Sequence, residues 1–242
     1  MPFNKLVSPS LTDLFVSEIQ RMILSGELAV GDRLPTEQQL SDQMGVSRAV
    51  VYNGVKKLEK LGFLRIAPRK GVYVADYLLD GNLETLQAII SYSGEYFTPA
   101  VLTPILIFRR STEGEIVRQA AKNRTEEHLK ALSDLLGSMT EKLEPAENAN
   151  IIYAFYHQLG LATGNLVYPL LVSSFKPIYL SLLGVLLQLT YQKTCRKYLQ
   201  NVLSSIQAGD AHKADEYNIN FIDYGETLIL KRYKPGEQYQ QK

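Results

Sequence analysis

Only two residues, Gly45 and Val46, separate two segments that each carry their own helix signals. Upstream, Thr36 stands three residues before Gln39, a pairing that caps a helix start from both sides, and Leu40 and Met44 supply apolar contacts. Downstream, Ser47 is placed to cap a helix that runs to just before Gly62. So short a connection makes the two helices cross sharply, and glycine supplies the backbone freedom the turn requires. This constrains the first part of the chain to a helix-turn-helix. An earlier helix leads into it. Ser10 with Asp13 opens that helix, Leu11, Leu14, Phe15, Ile19, Met22 and Ile23 repeat at helical spacing, and Gly26 closes it.

On the helix after the turn, at 100° per residue, Val51, Val55 and Leu58 face one way, with Gly54 and Leu61 beside them. Ala49, Tyr52, Asn53, Lys56 and Lys60 face the other way, with Arg48 at the edge. One side packs and the other is polar and basic, the form of a helix that enters a DNA major groove. Two strand-like runs follow, "FLRIA" and "VYVAD", joined by "PRKG". They read as a β-hairpin wing with two cations at its tip. From Gly45 to Gly71 seven basic residues face one acidic residue, a local charge of +6 on a chain whose formal net charge is +1. On charge alone a patch of this kind fits either a polyanion at one place or a solvated helix face.

From Leu78 onward the pattern is helical throughout. Helices are expected from Asn82, from Thr98-Pro99 and Thr103-Pro104, from Thr125 to about Leu143, over 148–163, from Pro177, over 194–208, and from Asp210 to about Tyr233. Six or seven helices with short loops make an antiparallel bundle. The expected fold is therefore mainly α: a winged helix-turn-helix domain over 1–77, then an all-α bundle over 78–242 for ligand binding and dimerisation. The uncharged run Pro177 to Gln192 has 16 residues, short of the roughly 20 a membrane span needs. It reads as a buried helix, so no membrane partner is expected. The single cysteine, Cys195, suits a reducing cytoplasm, and the first residues lack an apolar stretch of signal-peptide type.

The run "LSGELAVGDRLPTEQQLSDQMGVSRAVVYNGVKKLEKLGFLRIAPRKGVYVAD" resembles the winged-helix domain of GntR-type bacterial transcription regulators. The resemblance implies double-stranded operator DNA as partner and places DNA contacts at Thr36, Gln38, Ser47, Arg48, Ala49, Tyr52, Arg69, Lys70 and Gly71. Lys56 joins them from its place on the basic face. The family usually has Arg at the positions of Gln38 and Tyr52. Arg reads guanine, whereas Gln tends to read adenine, so an altered operator is expected.

The second part resembles the helical ligand domain of the FadR subgroup, through "RRSTEGEIVRQAA", "LATGN" and "IQAGDAHKA". Many members of that subgroup hold a metal through an Asp, a His four residues later and two further His. Here the His matches His157, the Asp falls on Tyr153, and the other two fall at or next to Leu199 and Phe221. With three of four ligands replaced, no metal is expected. The metal-free, fatty-acid-responsive members are the better match, through Tyr153, "LATGNLVY", Lys176 with Tyr179, and Gly225-Glu226. The resemblance implies an effector site that includes Arg109, Tyr153, His157, Tyr179, Phe221, Asp223, Tyr224 and Gly225, with no cofactor. The effector would be a fatty acyl-CoA or another long apolar acid, its chain lying along the leucine-rich helix after Pro177. The whole would be a homodimeric regulator whose ligand releases it from DNA. Alternatives are a sensor of small organic acids with Arg109 as clamp, an architectural DNA-binding protein without ligand, and a helical enzyme or lipid carrier. No nucleophile with a base, acid–base pair or phosphate loop is visible for an enzyme.

Overall fold

The computed structural model describes residues 9–93 and 97–232. They fall into two compact units, one ending at Tyr92 and the other beginning at Ser93.

The first unit holds α1 (Leu11–Leu24), α2 (Glu37–Met44), α3 (Arg48–Lys60), a hairpin of β1 (Leu64–Ala67) and β2 (Gly71–Val74), and α4 (Leu83–Ser93). Its helix starts follow the capping residues. Ser10 Oγ accepts from Asp13 N, Thr36 and Gln39 form a complete capping box, and Ser47 Oγ accepts from Val50 N. Gly45 closes α2 in the left-handed conformation, at φ 65°, and Ser41 Oγ donates to Val46 O at 2.6 Å across the turn. Val51, Val55 and Leu58 are buried against Phe15, Val16 and Ile19 of α1 in one core. The strands pair antiparallel with Leu64 opposite Val74 and Ala67 opposite Gly71.

Two features go beyond the sequence reading. Residues 31–34 add a third extended segment beside β2, with Arg33 opposite Tyr73. And α4 packs on this unit: Thr85 Oγ1 donates to Leu61 O, Asn82 Nδ2 to Lys60 O, and Lys60 pairs with Glu84. The compact unit thus continues past residue 77 to the end of α4.

The second unit is an antiparallel arrangement of α5 (Pro99–Asn123), α6 (Glu126–Ser138), α7 (Pro145–Ala162), α8 (Val167–Ser174), α9 (Lys176–Leu189), α10 (Gln192–Ala208) and α11 (Ala211–Arg232). Helix α11 lies along α5 and α10, and α7 packs on α9, α6 and α5. One apolar core joins them. Thr103-Pro104 is not a second helix start: Pro104 sits inside a continuous α5, where its missing N–H removes one i→i−4 hydrogen bond. Helix α6 stops at Ser138 rather than near Leu143. Helix α8, in "LVYPLLVSSF", has no counterpart in the sequence reading; Pro169 lies in its first turn. The expected helix end at Tyr233 lies outside the described residues.

No single described helix is long and apolar enough to cross a membrane. The pair α8 and α9 has the length only together, and it bends by 59°. Cys195 is buried and its thiol is pushed up to about 12 by burial, so it stays a protonated core side chain.

Gly54 sets the approach of α1 to α3. A Cβ there would stand 2.2 Å from Phe15 Cδ1, and Phe15 is only 2% exposed. Alanine in a helix interior is ordinarily worth about 1 kcal/mol over glycine, but overpacking a filled core costs about 1–3 kcal/mol. Gly54→Ala is therefore expected to lower the melting temperature in thermal denaturation, and Phe15→Leu in the same chain to restore part of the loss.

Candidate DNA-binding face and effector core

Every residue placed on the DNA-reading side of the first unit is exposed: Thr36, Gln38, Ser47, Arg48, Ala49, Tyr52, Lys56, Arg69 and Lys70, with Gly71 half-buried. Tyr52 is 51% exposed, so its ring is available to DNA rather than packed in the core. The wing tip is a β-turn closed by Lys70 N donating to Ala67 O at 3.0 Å. Pro68 and Arg69 are its central residues. Arg69 has φ 64°, a conformation that favours glycine and costs a side chain on the order of 1 kcal/mol. It holds a guanidinium at the tip where glycine would be easier.

The charges are arranged more finely than the local +6 suggests. Lys56 pairs with Glu59, Lys57 with Asp13 and Lys60 with Glu84. Arg48, Arg65, Arg69 and Lys70 form no ion pair among the described residues. Unbalanced charge thus sits at the start of α3 and on the wing.

Gln38 Nε2 donates to Asp42 Oδ1 at 2.9 Å, one turn along α2. A carboxylate accepts only, so this bond fixes which way the amide points. One N–H and the carbonyl oxygen remain for a base edge, the pair that matches adenine N7 and N6. Gln38→Arg is expected to move the preferred base from adenine to guanine at the position this side chain reads, by roughly 5- to 150-fold in relative affinity. Selection from random duplexes with both proteins reads this directly.

In the second unit the expected effector residues divide between two places. Arg109 and Tyr179 meet at the bundle centre, with Tyr153 and His157 at its margin. Arg109 is 8% and Glu113 1% exposed. Arg109 Nε donates to Glu113 Oε1 at 2.6 Å and Nη2 to Oε2 at 3.3 Å. Tyr179 donates its hydroxyl to the same carboxylate, and the guanidinium lies 4.9 Å from the Tyr179 ring centre. Tyr156 donates to Asn218 Oδ1 at 2.7 Å, and Asn218 Nδ2 is buried with no hydrogen-bond partner. Burial works to lower the Arg109 pKa, but the charge of Glu113 outweighs it and holds the guanidinium above its ordinary value. Burial, then Glu113, pushes the Tyr156 and Tyr179 hydroxyls well up, so both remain protonated donors.

Tyr153 stands edge-on to Tyr179 at 6.1 Å and 6.2 Å from the His157 ring, with Lys176 Nζ 4.9 Å from its own ring centre. Among the described residues no three His, Cys, Asp or Glu side chains come together to hold a metal ion.

The other expected residues lie on α11. Phe221 is core, 5.9 Å from the Tyr198 ring. Asp223 and Glu226 both bind Arg110. The Tyr224 hydroxyl is hydrogen-bonded to Thr190 Oγ1, and a Cβ on Gly225 would make ordinary contact with Leu186. An open groove of about 410 Å³ runs beside them, lined by Tyr198, Asn201, Tyr217, Asn220 and Thr227.

Two expectations change. Arg109 is not a free clamp for a small acid, because Glu113 already neutralises it. And the leucine-rich side of α9 is closed in this structure: Leu182, Leu183, Val185, Leu186 and Leu187 are packed core. The cleft beside Arg109, walled by Phe108, Leu171, Val172, Phe175 and Ile178, has a volume of about 10 Å³, the room of about one water. Glu113, missed as a site residue, was signalled by its i, i+4 spacing from Arg109.

An exposed basic helix with a wing, carried on the same chain as an all-helical domain with a polar centre, defines a winged-helix DNA-binding regulator. Residues 14–74 match the bacterial regulatory proteins of the gntR family and residues 75–223 match the FadR C-terminal domain. The chain belongs to this GntR/FadR family, which is one of transcription regulators and not of enzymes. GntR-family regulators bind operator DNA, and the matched residues 14–74 hold the exposed basic helix and the wing. The chain is 29% identical over 163 residues to a fatty acid metabolism regulator protein of Shewanella pealeana and 28% identical over 162 residues to that of Shewanella oneidensis. These matches cover 66% of this chain in both cases, and 66% and 65% of the relatives' own lengths. In fold it is similar to a solved structure described as Lar, which controls expression of the Listeria monocytogenes agr system. The TM-score is 0.61 at 14% identity, over 95% of this chain and 100% of that one. It is also similar to a GntR family member from Pseudomonas syringae pv. tomato, at TM-score 0.50 and 18% identity, over 91% of this chain and 85% of that one.

Removing one member of a buried ion pair leaves the other uncompensated, at about 3–5 kcal/mol. Glu113→Gln is expected to destabilise the chain by that order in urea unfolding. Arg109→Met with Glu113→Leu is expected to be far milder than the sum of the single changes.

Proposed function

We propose that the protein is a homodimeric, cytoplasmic regulator of fatty-acid metabolism genes, released from its operator by a fatty acyl-CoA or another long apolar acid. The observation that carries the choice of effector is the neutralised Arg109. A small carboxylate entering the centre finds the guanidinium already bound on two of its nitrogens by Glu113. An apolar chain finds Phe108, Leu171, Val172 and Phe175 at the adjoining cleft and the leucines of α9 behind them. The naming of the relatives as fatty acid metabolism regulators supports the same reading. The cleft must widen to admit a chain, so binding and rearrangement of α5, α8 and α9 are coupled. Two copies would place two recognition helices on a pseudo-palindromic site. Helix α8 leaves Leu166, Val167 and Leu170 exposed, apolar surface of a kind that association covers.

The test is fluorescence anisotropy on a duplex that the protein itself selects from a random pool, with acyl-CoAs of graded length, small carboxylates and Zn²⁺ as challengers. Release that grows with chain length is expected. Release by a small carboxylate, alone or only with metal, would overturn the effector assignment, and no release by any of them would favour an architectural role.

A further inference from the structure

Arg33 belongs neither to the recognition helix nor to the hairpin, yet the fold carries it to the wing. Residues 31–34 run along the outer edge of β2. Gly31 N donates to Val74 O at 3.0 Å, Val74 N to Asp32 O at 2.9 Å and Leu34 N to Val72 O at 2.9 Å. Neighbouring side chains on an extended segment point to opposite faces. Leu34 is buried in the core, so Arg33 is turned outward, and it is exposed.

Its guanidinium lies against the base of the wing tip. A Cβ on Gly71 would stand 2.8 Å from Arg33 Nε and 3.3 Å from Nη2. Gly71 follows directly on Arg69 and Lys70. On its other side Arg33 borders an open polar hollow of about 410 Å³ shared with Thr36, Gln39 and Gln43. No carboxylate lines that hollow, and Arg33 forms no ion pair among the described residues. The three lysines of α3 are all paired with carboxylates, as described above. An uncompensated guanidinium fixed between the tip of the wing and the start of α2 is placed for an oxyanion, and its planar N–H array suits phosphate.

We infer that Arg33 is a further DNA-contacting residue of the wing and holds a backbone phosphate. Gly71 keeps the tip free of a side chain that would push the guanidinium aside. The contact is to phosphate, so it adds affinity and salt dependence without sequence preference. This rests on the DNA-binding function of the family.

The experiment compares the full-length wild type, Arg33→Gln and Arg33→Lys by anisotropy across a series of KCl concentrations, on the selected duplex and on a scrambled one. Each phosphate contact contributes about 0.9 to the slope of log affinity against log salt. Arg33→Gln is expected to lose about 0.9 of slope per bound subunit, to weaken both duplexes alike, and to melt at the wild-type temperature. Arg33→Lys is expected to keep the slope. Equal slopes for wild type and Arg33→Gln overturn the inference and leave DNA binding intact. A wild type that shows no salt-dependent binding overturns both. A lowered melting temperature in both variants, with an unchanged slope, makes Arg33 a prop for the hairpin and also overturns it.

Discussion

One charge pair that water barely reaches organises the helical unit. Arg109 and Glu113 sit one turn apart on α5, and each compensates the other's buried charge. The pair alone would leave donor and acceptor sites unfilled. Tyr179 from α9 fills one, and its ring covers the guanidinium face. Tyr156 from α7 lies tilted beside Tyr179 at 5.7 Å and reaches Asn218 on α11. Four helices are thus held in register by polar geometry, whereas the leucine-rich contacts around them would tolerate sliding. Apolar packing sets the density of this core and the ion pair sets its alignment.

The next positions along α5 hold its outer neighbour. Arg110 binds Asp223 and Glu226 of α11, and Arg118 binds Asp215 of α11 together with Glu115. Gly114 lies between these arginines. A Cβ there would stand 2.5 Å from Asp215 Oδ1, so α11 comes this close only because the side chain is missing. Asp223, which the sequence resemblance places in the effector site, is therefore engaged with Glu226 in joining α11 to α5. Any ligand that competes for Asp223 or Glu226 would act on that junction directly.

Much of this was readable from local chemistry. Thr36 with Gln39, Ser47, Gly45 and the apolar spacing of Val51, Val55 and Leu58 are signals that act within a turn or two, and the backbone follows them. Helix α8 was not readable, because Pro169 and a run of apolar residues without polar alternation give no helical period; only its packing on α7 and α9 makes it a helix. The segment at residues 31–34 has no strand pattern of its own, and the edge of β2 makes it extended. In the core, the spacing of Arg109 and Glu113 was visible, but their burial was not. Burial depends on Tyr156, Tyr179 and Asn218, which are distant in sequence. The packing of α9 was hidden for a related reason: an all-round apolar helix is equally suited to bordering a cavity and to filling one.

The ion pairs of α3 have a consequence for how the protein meets DNA. Each is individually weak at the surface, but the sum does not depend on strength. Lys56, Lys57 and Lys60 bring their own counterions, and Arg48 does not. The helix also carries the positive end of its peptide dipoles at Arg48. In a polyanion's field α3 is therefore a rod charged at one end, and it experiences a torque as well as an attraction. It arrives pointing, with its first turn leading, so that part of the orientational search is complete before any base is touched.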